Sequence, residues 1–240
     1  MVGVLRIWAY DIFNEAYKFT GSDLSDMIKF RLRREALDLS ESSVDELLDV
    51  IDALLSWWLP PGSHEIDALK EILTTGGAGW RVNADHKALE RRVDVTVTEA
   101  VVETIHTTRD EAAEHLAAAW SATYGRHPDP NKAYGQAVLA VEAVACPLVA
   151  PRSDRATLGS VIGDLKKQSD HWELVLADRS GQPAEISGAI DMLALLWRGQ
   201  SRHAGSSNSR RQTQAEAEAA VHLAAVLVQW LTSGVLRRKS

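Results

Sequence analysis

The stretch LLWRGQSRHAGSSNSRR, residues 195–211, joins an apolar run to groups able to handle a phosphate and a proton. Arginine carries a permanent charge on a planar fork that meets two phosphate oxygens at once, so Arg198 at a helix end is a candidate phosphate clamp. His203, with an ordinary pKa of about 6.5, gives and takes a proton at neutral pH. The two residue types suit RNA cleavage by the substrate's own 2′-hydroxyl. One imidazole removes the hydroxyl proton and another protonates the departing 5′-oxygen, each worth about 10² to 10⁴-fold in rate. The arginine stabilises the charge that builds on phosphorus. A single chain supplies one His203, so two imidazoles in one site require a symmetric dimer. The same residues also have a structural use, because cations near a helix C-terminus cap its last carbonyls and interact favourably with its dipole.

Four helical segments have to position this stretch. The first, PNKAYGQAVLAVEAVACPLV, follows an N-cap at Asp129 with Pro130 in its first turn and puts Tyr134, Ala137, Val138, Val141, Val144, Ala145 and Leu148 on one face. The second, RATLGSVIGDLKKQ, follows a cap at Ser153 or Asp154 and spaces Leu158, Val161, Ile162 and Leu165 at i, i+3, i+4 and i+7. Gly159 and Gly163, four apart, would let another helix approach it closely, although glycines also simply weaken a helix. SDHWELVLADRSGQP then reads as a connection. The third helix, AEISGAIDMLALLWRG, turns Ile186, Ala189, Ile190, Leu193, Leu196 and Trp197 inward and delivers Arg198 at its end. The fourth, QTQAEAEAAVHLAAVLVQWL, is apolar nearly all round in its second half, which places it at the centre or at an interface. Four helices with short connections pack most simply as an antiparallel bundle.

Arg198, His203 and Gly205, in this helix order and with the runs KAYGQAVLAVEA and TLGSVIGDLK, resemble the HEPN superfamily. The closest likeness is to the abortive-infection-type C-terminal domain of bacterial defence and toxin proteins, over about residues 128–234. The resemblance implies a HEPN-like four-helix domain that acts as a metal-independent endoribonuclease without a cofactor. It further implies RNA as substrate, a homodimer with Arg198 and His203 of both copies lining one cleft, and an antitoxin or defence-system partner. Members of the family often carry a polar residue, commonly asparagine, directly after the arginine, where this chain has Gly199. The alternative is a non-catalytic HEPN-like module that binds RNA or a protein partner, with Arg198 and His203 only capping and bridging helices. A structural dimerisation domain is a third reading. Arg202, Arg210 and Arg211 flank the pair, and with Lys166 and Lys167 they are candidates to hold an RNA backbone. Glu142 belongs at the rim of the bundle or pairs with a bundle cation such as Arg198. Trp197 and Trp230 fall on apolar faces and read as packing, and Cys146 as an inert buried thiol.

The net charge of −7 argues against a protein that simply coats nucleic acid. The charge is uneven: residues 1–126 hold 13 Lys and Arg against 22 Asp and Glu, a charge of −9, and residues 127–240 hold 13 against 11, a charge of +2. GRHPDP at 125–130, rich in turn formers, divides an acidic helical N-terminal domain, 1–126, suited to a sensor or regulatory role, from the HEPN-like domain, 127–240. In the first domain WAYDIFNEAYKF, SDLSDMIKFRLRREAL, SESSVDELLDVIDALLSWWL and HEIDALKEIL read as helices, the third stopped by Pro60, Pro61 and Gly62. GGAG at 76–79 is a turn, since no Lys-Ser/Thr follows to make a phosphate loop. Residues 78–83 read as a short extended segment, and 84–124 as one or two helices. His86 and His106 lack metal-ligand spacing and read as surface residues. The fold class is all-α. One cysteine, no signal-peptide pattern and no apolar run of about 18 residues predict a cytoplasmic protein without a membrane segment.

Overall fold

The computed structural model describes residues 43–108, 110–200 and 210–239, together with Ala9. The described chain is mainly helical, as the composition predicts, with eight α-helices, two small two-stranded sheets and one turn of 3-10 helix. It divides into two compact units, Met1–Arg92 with Tyr124–Arg126, and Val93–Thr123 with His127–Ser240. The sequence boundary at 126–127 is the point where the chain re-enters the second unit, to which the two helices before it already belong.

In the first unit, α1 (Val44–Trp57) opens on a capping box, in which the Ser43 hydroxyl accepts from the Glu46 amide and the Glu46 carboxylate accepts from the Ser43 amide. Its Leu47, Leu48, Ile51, Leu54 and Leu55 are buried, while Val44 in its first turn is 47% exposed. Helix α2 (His64–Thr75) adds Ile66, Leu69 and Leu73 to the same core. The extended segment expected near 78–83 is β1 (Trp80–Val82), which pairs antiparallel with β2 (Leu89–Arg91), Val82 opposite Leu89. Within KALERRV, Leu89–Arg91 is therefore strand and no residue is helical, where the sequence predicts helix. The Asn83 side chain accepts from the amides of Lys87 and Ala88, His86 takes a φ of 61°, and the Leu89 amide donates to Asp52. These side-chain bonds turn the hairpin, and local helix propensity does not report them. His86 is tied in, its Nδ1 accepting from the Gly62 amide and its Nε2 lying 2.8 Å from Lys70 Nζ, whereas His106 is exposed. Arg126 closes the unit through Asp49 at 2.6 Å and Asp45 at 3.0 Å, with its guanidinium 5.1 Å from the Trp80 ring centre. Of the two helices expected before α1, Ala9 is helical and buried in this core; the rest lies outside the described residues.

The second unit begins with α3 (Val95–Thr107), capped by the Asp94 side chain, and α4 (Asp110–Tyr124). Four helices follow, α5 (Pro130–Val149), α6 (Leu158–Lys167), α7 (Ser187–Gly199) and α8 (Gln214–Thr232). Contacts run in a closed order, α5 with α6, α6 with α7, α7 with α8, and α8 most extensively with α5. Helix α8 buries Ala217, Ala220, Val221, Ala224, Ala225, Leu227, Val228 and Leu231 and also meets α3, so its apolar circumference is used on several sides. Helix α5 is long and apolar enough to span a membrane, and half of that stretch is buried inside the unit. The cap of α6 is Thr157, not Ser153 or Asp154. Thr157 and Ser160 form a reciprocal box, and Glu142 of α5 accepts from the Leu158 amide at 2.7 Å, so Glu142 serves a helix start.

The segment expected to be a plain connection after α6 contains β3 (Trp172–Leu174), which pairs antiparallel with β4 (Leu236–Arg238) at the end of the chain. Three-residue strands some sixty positions apart leave no periodic trace in either segment. Arg238 lies over the Trp172 ring and Arg237 pairs with Glu173, which fixes their register.

Candidate functional site

Arg198 sits in the last turn of α7, and the inner face of that helix holds it in place. Ala189, Ile190, Leu193, Ala194 and Leu196 are buried, and Trp197 packs its indole over Gly159 of α6, where a Cβ would come within 2.6 Å of the ring. One of the two expected close-approach glycines thus has that role; Gly163 faces open space. The end of α7 is closed by side chains from two other elements. The Tyr134 hydroxyl of α5 donates to the Leu196 carbonyl at 3.1 Å, and Gln212 Nε2 donates to the Gly199 carbonyl at 2.7 Å. Asn131 of α5 in turn accepts from the Gln212 amide. Gln212 is buried, and its Oε1 has no hydrogen-bond partner among the described residues. These bonds take up carbonyls at the end of α7, so the arginine need not serve as the cap.

Gly199 has a physical reason to be glycine. A Cβ there would lie well inside van der Waals contact of the Tyr134 hydroxyl and 2.9 Å from its Cζ, so no asparagine fits at this position while Tyr134 holds its place. Burial, then the Glu216 charge, raises the Tyr134 pKa above that of an ordinary phenol and keeps the hydroxyl a donor.

Arg198 is exposed and makes no hydrogen bond or ion pair among the described residues. It lies on the wall of a cleft of about 840 Å³, lined by Asp191, Leu195 and Gly199 of α7, by Glu216, Ala219 and Leu223 of α8, and by Tyr134 of α5. A guanidinium placed so can accept an oxyanion as a two-pronged donor. No family model, curated protein or solved structure matches the chain. The chemistry therefore has to be read from the cleft's own groups.

The remaining candidates are placed differently. Arg210 is engaged by Glu216, Nη1 to Oε2 at 2.8 Å and Nη2 to Oε1 at 2.5 Å, while Glu216 also closes the capping box of α8 with Thr213. That fork, with the Thr213 amide, pulls the Glu216 carboxyl down to about 2. Arg211 is exposed beside it. Lys166 and Lys167 end α6, and Lys166 lines a second cleft, of about 410 Å³, with Lys239 and several carboxylates. His203 and Arg202 lie outside the described residues. Among the described residues no group of three His, Cys, Asp or Glu is placed to hold a metal ion.

Asp191, Glu216 and Gln212 shape this site and sequence reading passed over them, while Tyr134 was placed on the packed face of its helix with no role at the site. Only Glu216 had a legible signal, the T-x-x-E of Thr213-Gln214-Ala215-Glu216 that opens α8. Trp230 is half-buried, and Cys146, also half-buried, has its thiol pushed up to about 11 by burial and then by Glu142.

Proposed function

We propose that the chain is a metal-independent endoribonuclease of the abortive-infection or toxin type, with a HEPN-like antiparallel four-helix bundle formed by α5 to α8. The observation that carries this reading is Arg198, a cation without a described partner, held at the end of the third of four mutually packed helices on the wall of a cleft. In the reaction the 2′-oxygen attacks phosphorus and the 5′-oxygen leaves, giving a 2′,3′-cyclic phosphate and a 5′-hydroxyl. Arg198 holds the non-bridging oxygens, one His203 accepts the 2′-hydroxyl proton, and the His203 of a second copy supplies the proton to the leaving oxygen. Three residues of chain, about 10 Å when extended, separate His203 from Gln200 beside the clamp. The working form is a cytoplasmic homodimer, with the acidic N-terminal domain as sensor and an antitoxin or defence-system protein as partner.

A second reading is favoured by the charges of the cleft. Asp191 and Glu216 line it with Arg198, and Arg210 is already taken by Glu216, so the wall offers a polyanion little net attraction. That balance suits a non-catalytic module that binds a protein or a small part of an RNA. The test is incubation of wild type, Arg198→Ala and His203→Ala with labelled RNA in EDTA. The enzyme reading expects cleavage by wild type, a loss of about 10² to 10³-fold for Arg198→Ala and of about 10² to 10⁴-fold for His203→Ala. Intact RNA with wild type, or equal cutting by His203→Ala, favours the binding module.

A further inference from the structure

We propose that the cleft beside Arg198 reads guanine: Asp191 accepts the adjacent N1–H and N2–H donors of the base whose 3′-phosphate Arg198 holds, and the chain cuts RNA on the 3′ side of guanosine. The cut rests on the ribonuclease reading, to which this adds a substrate; the base contact stands on the cleft alone.

One stripe of α7 carries the inference. Asp191, Leu195 and Arg198 follow at i, i+4 and i+7, which sets them on one side of the helix, and all three line the cleft. Asp191 and Arg198 are exposed, and neither has a hydrogen bond or ion pair among the described residues. They stand seven residues, or about 10 Å, apart along the axis, too far to pair with each other, since helical ion pairs form at three or four residues. The stripe thus offers a cation and an anionic acceptor, separated by the reach of one nucleotide from its phosphate to its Watson–Crick edge. Between the two the cleft is apolar. Leu195 is 68% exposed, and α8 turns Ala219 and Leu223 to the same space. A flat heterocycle covers a floor of this kind, and about 840 Å³ lies within the range of small-ligand sites.

The chemistry of the acceptor decides which base fits. Proteins read single-stranded RNA through the Watson–Crick edges of splayed bases, and an ionised carboxylate accepts through both oxygens while donating nothing. Of the four RNA bases, guanine sets two donors side by side on that edge, N1–H and N2–H, which match the two carboxylate oxygens. Adenine and cytosine put a ring-nitrogen lone pair next to their amino group, and uracil flanks its N3–H with two carbonyl oxygens, so each turns an acceptor toward the aspartate. The other polar groups of the cleft are engaged. Glu216 holds Arg210 and the Thr213 amide, and the Tyr134 hydroxyl donates to the Leu196 carbonyl. Asp191 stands on the ridge between this cleft and the smaller one, open to a base edge. Its charge opposes a bare phosphate chain, and the two guanine donors offset that cost. In the cut, the 2′-oxygen of the bound guanosine bonds to its own 3′-phosphorus, and the bond to the next nucleotide's 5′-oxygen breaks. The proton lost by the first oxygen is made up at the second, and the fragment ends in guanosine 2′,3′-cyclic phosphate.

Titration of the full-length chain with guanosine, inosine and adenosine 3′-monophosphates, followed by NMR, tests the base contact without any cut. The guanosine nucleotide should bind about tenfold or more tighter than the inosine one, which lacks the N2 donor, and the adenosine one more weakly still. Asp191→Asn, whose amide sets a donor beside an acceptor, should bring guanosine and adenosine nucleotides to within about threefold of each other. Arg198→Ala should weaken all three alike, and far-UV circular dichroism confirms that each variant folds. Equal binding of the three nucleotides, binding of none, or a guanine preference that survives Asp191→Asn overturns the proposal. A labelled RNA with a single guanosine separates this inference from the reading beneath it. Cutting on the 3′ side of that guanosine supports both. Cutting without regard to guanosine overturns the base contact and keeps the nuclease, whereas guanine-selective binding with no cut sinks the nuclease and keeps the Asp191 contact.

Discussion

Replacing Gly199 by alanine places a methyl group where the Tyr134 hydroxyl lies, and the structure sets the size of the penalty. The tyrosine ring must move, because the new Cβ would sit 2.9 Å from Cζ and closer still to the hydroxyl. Movement breaks the 3.1 Å bond to the Leu196 carbonyl, a loss of about 1 kcal/mol. Forcing an extra carbon into the packed end of α7 costs about 1–3 kcal/mol more. Against this, alanine in place of glycine in a helix gains about 0.5–1 kcal/mol. The net is a destabilisation of about 2 kcal/mol, or about 4–8 °C in melting temperature for a chain of this size. Urea unfolding followed by circular dichroism measures it. Gly163→Ala is the matched control, since no heavy atom lies within 4 Å of its added Cβ, and it should gain about 0.5–1 kcal/mol. Tyr134→Phe removes the hydroxyl, so Gly199→Ala should cost at least about 1 kcal/mol less in that background than alone. A Gly199→Ala protein as stable as wild type, or strict additivity in the double variant, would refute the placement of Tyr134 over Gly199 and with it the account of why asparagine is missing after Arg198.

Two further outcomes follow from the ionisable groups. The Glu216 carboxyl, held near 2 by the Arg210 fork and the Thr213 amide, lies below its unfolded value of 4.5. Its contribution is therefore present above pH 4.5 and is lost as the pH falls from there toward 2. Glu216→Gln should flatten acid unfolding in that window by less than about 1 kcal/mol, because solvent screens the pair; an unchanged acid limb counts against the ion pair. The Cys146 thiol, pushed up to about 11 from 9.0, carries about a hundredfold less thiolate near pH 8 in the folded chain than in the unfolded one. Iodoacetamide should label native protein about a hundredfold more slowly than protein in urea, and equal rates would place the thiol in solvent.

Much of the second unit was legible because its information is local. The stripe Leu158, Val161, Ile162 and Leu165, the Asp129-Pro130 start and the inward face of α7 are properties of a few consecutive residues; the structure buries the two apolar faces and caps α5 at Asp129 as the spacing predicts. The same holds for α1 and its Ser43 box. Where the reading went astray, partners far along the chain decided the outcome. Leu89–Arg91 becomes a strand because Asp52 and β1 receive it, and Trp172–Leu174 becomes one because the chain's last residues return to it. The site divides in the same way. By itself the sequence determined that an apolar helix delivers an arginine at its end, because helical periodicity is written in side-chain order. Only the tertiary structure decided that Tyr134 forbids a side chain at 199, that Glu216 consumes Arg210, and that Arg198 and Asp191 share an open cleft, because each depends on helices distant in sequence meeting in space.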